Sequence, residues 1–118
     1  MNLTKREEQF LQAWMHDELH FREGTGPAKR LQRAHQVKPF DLALLIAAWL
    51  PDPNEQFQRA EEPLPDTVEW PWQTREEFET RLREAKEVLA LRNRPQAGSG
   101  NDLDLTGNSV RVSAPPSR

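Results

Sequence analysis

With 118 residues, a net charge of −3 and no cysteine, the chain is sized for a single domain, and disulfide scaffolds and thiolate metal centres are excluded. The acidic balance argues against a general binder of the phosphate backbone. Tyrosine is absent and Ala, Leu, Glu, Gln, Lys and Arg are abundant, a composition of helices rather than sheets.

The segment MNLTKREE lacks the apolar core of a secretory leader, and the apolar run from Phe40 to Leu50 is too short to span a bilayer. The expectation is a cytoplasmic protein with no membrane partner.

Thr4 and Glu7 form an S/T-x-x-E capping box that opens a helix to about Glu23, where Gly24-Thr25-Gly26 stops it. Leu3, Phe10, Trp14 and Phe21 align along this helix, with Leu11 and Met15 beside them, and form its core face. The same helix carries His16-Asp17-Glu18-Leu19-His20, two histidines at the spacing that lets one helix face share a metal ion. The pattern departs from the zincin H-E-x-x-H motif, because Asp17 is one methylene shorter than the required glutamate base. Both histidines also project away from the apolar stripe, and no other histidine-rich segment offers a third ligand. His16 and His20 are therefore weak metal candidates beside the plainer reading of a solvated polar face, and no cofactor is expected. Glu18 projects into the apolar band between Leu11 and Trp14, so it needs a cation, either Arg22 or an arginine of the next helix.

Pro27 suits the first position of a short second helix that turns Ala28, Leu31, Ala34 and His35 to one side and Lys29, Arg30 and Arg33 to the other. Flanked by Arg22 and Lys38, this basic face is suited to phosphates or to an acidic protein. Val37-Lys38-Pro39 turns the chain into PFDLALLIAAWLP. On a helix, Phe40, Leu42, Leu44, Leu45, Ile46, Trp49 and Leu50 point in every direction, which predicts a central helix buried all round. The two helices have a helix-turn-helix outline, but DLALLIAAW offers no polar side chains to base edges. Asp52 caps a further short helix that carries Phe57.

Residues 61–73 hold three prolines and should run extended over the surface, with Leu64, Val68, Trp70 and Trp72 to bury. Trp72 falls where it can staple onto Phe78, which makes Trp70-Pro71-Trp72 a lid on the core, or alternatively an aromatic docking site. Thr74 and Glu77 form a second capping box, opening a helix to about Asn93 with a stripe of Phe78, Leu82, Ala85 and Leu89. Its outer faces pair Glu77 with Arg81 and Glu79 with Arg83. From Pro95 onward the chain lacks aromatics and helical periodicity, which predicts a flexible tail. Within it, Leu103 and Leu105 alternate, as do Val110 and Val112, around a hairpin-prone Gly107-Asn108.

These readings predict an all-α fold, a compact orthogonal bundle of four to five helices around a central apolar helix (39–50). The helical domain covers 1–94 and the disordered or hairpin-prone tail 95–118. No nucleophile triad order, phosphate loop or dinucleotide glycine pattern occurs, so the expected function is a small non-enzymatic protein–protein interaction or regulatory module. Its candidate binding residues are Arg22, Lys29, Arg30, Arg33, Lys38, Trp70 and Trp72. The alternatives are a nucleic-acid accessory protein that contacts phosphates through the basic face, and a metal-dependent enzyme using the HDELH helix.

Overall fold

Each helix begins at a proline or a capping residue that the local sequence supplies. The computed structural model describes residues 1–20 and 26–93, and in them it forms five helices and no strand: α1 (Lys5–His20), α2 (Pro27–Ala34), α3 (Pro39–Trp49), α4 (Pro53–Ala60) and α5 (Arg75–Arg92). At α1 the capping box is reciprocal, with Glu7 N donating to Thr4 Oγ1 at 3.2 Å and Thr4 N donating to Glu7 Oε1 at 2.8 Å. Helices α2, α3 and α4 start with proline, whose missing N–H would have been unpaired there in any case. Asp52 accepts from Asn54 N at 3.0 Å to cap α4, and Thr74 accepts from Glu77 N at 3.1 Å to cap α5.

α1 packs on α2 and α4, while α3 packs on α5. The core joins Phe10, Leu11 and Trp14 of α1 to Leu42 and Leu45 of α3 and to Phe78 and Ala85 of α5. α5 runs beside α3 in the same direction. Near its start Arg75 donates to the carbonyls of His35 and Gln36, just before α3, and at its end Arg92 donates to those of Ala47 and Ala48 at 2.9 and 2.8 Å. The arm between α4 and α5 is irregular, as its prolines require.

Two expectations about faces need correction. α3 is not buried all round: Leu42, Leu45, Ile46 and Ala48 are buried, but Phe40 is 69% exposed and Ala43 is exposed as well. Among the described residues α5 is the one helix packed closely along α3, so part of its circumference has no helical cover. In α2 the buried positions are Ala28 and Gln32, whereas Ala34 and His35 are exposed. Gln32 turns inward because the buried Trp14 needs an acceptor. Its Oε1 accepts from Trp14 Nε1 at 3.1 Å, and its Nε2 donates to Val37 O at 2.9 Å.

Phe21, Arg22 and the segment with Leu103, Leu105, Val110 and Val112 lie outside the described residues. Among the described residues no helix is long and apolar enough to cross a membrane.

The one-sided cover of α3 separates two substitutions on the same helix. Leu45→Asp places an unpaired carboxylate at a fully buried site and should abolish the cooperative thermal transition followed by circular dichroism. Ala43→Asp, on the exposed side, should melt within a few degrees of wild type.

Candidate functional site

The metal-like motif on α1 resolves into helix capping. Asp17 is fully buried, and its Oδ2 accepts from Ala28 N at 2.7 Å and Lys29 N at 3.0 Å, two of the unpaired amides at the start of α2. The cap position of α2 is Gly26, which has no side chain to serve, so the cap comes from a different helix. Gly26 has an ordinary φ of −67°. What it provides is space, since a Cβ there would lie 2.1 Å from Asp17 Cγ.

His16 is half-buried, not solvated as its helical projection predicts. Its Nδ1 lies 3.2 Å from Ala60 O and 3.0 Å from Glu62 O, so the ring nitrogen must donate to carbonyls at the end of α4. One turn earlier, Gln12 Nε2 donates to Arg59 O and Glu62 O, both at 3.2 Å. His20 is exposed and lies against His16, with ring centroids 4.3 Å apart. Among the described residues no group of three or more His, Cys, Asp or Glu is placed to hold a metal ion.

Glu7 does more than close a capping box. It is almost fully buried and accepts from Trp72 Nε1 at 2.7 Å, and from Arg81 Nε at 2.8 Å and Nη2 at 2.9 Å. Burial pushes its pKa up, but the Thr4 amide, Arg81 and Trp72 outweigh that and hold the carboxyl below its ordinary value. The same contacts raise the pKa of Arg81 further, chiefly through the hydrogen bond to Glu7. The expected Glu77–Arg81 and Glu79–Arg83 pairs are replaced. Arg81 bridges Glu7 and Glu84, and Glu79 pairs with Arg75.

The candidate binding residues are scattered rather than gathered. Lys29 forms an ion pair with Glu18 and lies 4.7 Å from the centroid of the Trp14 ring, so a lysine of α2 supplies Glu18 with a cation, while Arg22 lies outside the described residues. Arg30, Arg33 and Lys38 are exposed. Trp72 is only 3% exposed, which removes it from any surface a partner could touch. Trp70 is half-buried, stacked on His35 at 4.1 Å and edge-on to Phe10 at 5.0 Å.

A site that the sequence did not announce lies where α3 lacks cover. An apolar groove of about 390 Å³ runs between α1, α3 and α4, walled by Met15, Leu19, Ala43, Ile46 and Phe57 among others. Glu18 and Gln56 are its charged and amide groups, and Glu18 is already paired with Lys29. Phe57 is 53% exposed and Leu19 37%, so the groove opens to solvent along an apolar edge. A periodicity argument missed it because it takes three helices and the short length of α4 to make a trough.

Two substitutions test these junctions. Gly26→Ala should cost about 1–3 kcal/mol in denaturant unfolding, because the added methyl overlaps the Asp17 carboxylate and displaces the cap. Glu7→Gln should cost about 2–3 kcal/mol at neutral pH. Since the folded pKa of Glu7 is lowered, its contribution is present above the unfolded value and is lost as pH falls through the folded one. The gap in melting temperature between wild type and Glu7→Gln should therefore narrow as the solution is acidified below the ordinary glutamate range. In comparison with known proteins, no family model, curated protein or solved structure matches this chain.

Proposed function

We propose that the protein is a small non-catalytic module that binds another protein through the groove between α1, α3 and α4. The observation that carries this reading is the solvent-facing apolar edge formed by Leu19 and Phe57 over a trough of about 390 Å³. A site of this composition offers few groups to polarise a bond or move a proton, but it suits apolar side chains presented by a partner. A cytoplasmic setting belongs to the same proposal and rests on a chain without cysteine.

The polar depression over Glu7 and Arg81 is larger, at about 660 Å³, but its two central charges are committed to each other. Phosphate contact through Arg30, Arg33 and Lys38 has less support, because Lys29 is folded onto Glu18 and Trp14 instead of extending that face. The zinc reading of His16 and His20 lacks a third ligand among the described residues.

The test uses Leu19→Glu and Phe57→Glu, both at exposed positions and so compatible with the fold. Partners recovered from the native cell by the tagged full chain would be identified by mass spectrometry, and the affinity of the purified pair measured by calorimetry. Both variants should keep the wild-type melting temperature within a few degrees and weaken binding by about tenfold or more, or about 1.4 kcal/mol. Unchanged affinity in both variants would remove the groove from the interface.

A further inference from the structure

We infer that the occupant of the groove between α1, α3 and α4 is an amphipathic helix of a partner protein, seated by at least two large apolar side chains and turning an arginine or lysine toward Glu18. This rests on the reading of the groove as a docking surface and names the kind of partner it takes. A cavity of about 150 Å³ holds a benzene ring. At about 390 Å³ the groove has room for two or more side chains of that size, so a single anchor would leave it part-filled. A second copy of this chain does not supply such a pair on one helix, because α1, α3, α4 and α5 each expose one large apolar side chain, Leu19, Phe40, Phe57 and Leu91.

The polar atoms of the groove decide the conformation and the charge of that segment. Among the described residues that wall it, three have polar side chains: Trp14, Glu18 and Gln56. Trp14 Nε1 donates to Gln32 Oε1 at 3.1 Å and Gln56 Nε2 is directed at Leu50 O at 2.6 Å, which leaves the groove chiefly with acceptors. An extended or polyproline segment brings carbonyls with no internal partner, and the groove has little to donate to them. A helix arrives with its backbone already paired and presents side chains alone. Glu18 then selects the charge. Its pairing with Lys29 runs through Oε1, but the lysine side chain is only 13% exposed while that of Glu18 is 49% exposed. The ammonium lies on the Trp14 ring, so solvent meets the carboxylate more than its cation. A basic side chain on the partner is attracted there and an acidic one repelled, and that repulsion supplies the specificity.

The probe is a synthetic helix of alanine and glutamine that carries leucines one turn apart and an arginine one turn beyond them. Its twin has glutamate in place of the arginine, and a third peptide has a proline between the leucines to break the helix. Binding to the isotope-labelled full chain is read from the amide signals of Leu19, Ala43 and Phe57. The arginine peptide should shift all three and bind about fivefold more tightly than its twin in about 50 mM salt, a preference that shrinks in about 500 mM. The proline peptide should bind most weakly. Glu18→Gln should keep the wild-type melting temperature and bind the arginine and glutamate peptides alike; the wild-type comparison and its salt dependence stand without this variant. Equal affinity of wild type for the two peptides, a preference that survives Glu18→Gln, or a proline peptide as tight as the helical one would each overturn the proposal. So would no shift with any peptide, or shifts at the three amides on concentrating the protein alone, because the occupant would then be a second copy. If the peptide results fail while Phe57→Glu still weakens the purified partner, the docking reading stands and only the class of occupant fails. If both Leu19→Glu and Phe57→Glu leave the partner unaffected, the docking reading fails irrespective of the peptides.

Discussion

The fold depends on one buried carboxylate. Glu7 receives an amide from Thr4, an indole N–H from Trp72 and two guanidinium N–H groups from Arg81, so a single side chain ties the start of α1 to the arm and to the middle of α5. Its partners stand 3, 65 and 74 residues away in the sequence. A buried ion pair is not automatically stabilising, because desolvation opposes it. Here the carboxylate also satisfies the N–H of a tryptophan that is 3% exposed, and neither group has an inexpensive way to be left alone. Seating Trp72 in turn places it edge-on to Phe10 and Phe78 at 5.7 and 5.1 Å, which closes the core beneath the arm.

The same economy governs the rest of α1. Its inward polar residues serve the ends of other elements: Asp17 holds the start of α2, and Gln12 and His16 hold the end of α4. A short helix cannot be stable by propensity alone, and α2 and α4 have eight residues each. Caps supplied by a neighbour both satisfy their terminal groups and fix their placement on α1. His16 and Asp17 of the HDELH run thus each hold an end of a neighbouring helix.

Local signals were legible because they act over a few residues. The Thr4–Glu7 and Thr74–Glu77 boxes, the Asp52 cap and the prolines at 27, 39 and 53 each act within one turn, and each marks a helix start. The roles of Gln12, Gln32 and Asp17 were not legible, since nothing in the identity of a polar residue says that its partner is a carbonyl or an amide in another element. One cue existed for Asp17: a glycine directly before Pro27 leaves the second helix with no cap of its own. The charge pairs on α5 failed for the opposite reason. Four-residue spacing makes Glu77 and Arg81 neighbours, but a buried carboxylate attracts a guanidinium more strongly than a solvated one does, and Glu7 wins.

The groove follows from the mismatch between what α3 offers and what the other helices can cover. A helix apolar on every side needs neighbours around its whole circumference, yet only α5 runs closely along it among the described residues. α4 is eight residues long and angles Phe57 outward, where a polar residue would serve solubility better and cost the core nothing. Phe40, also on α3, adds a second large ring to the same exposed inventory. Surplus apolar surface of this kind contributes nothing to folding the monomer, because it is not removed from water on folding. It can lower the free energy only when something else covers it, and around the groove that area lies mainly on Leu19 of α1 and Phe57 of α4, not on α3 itself.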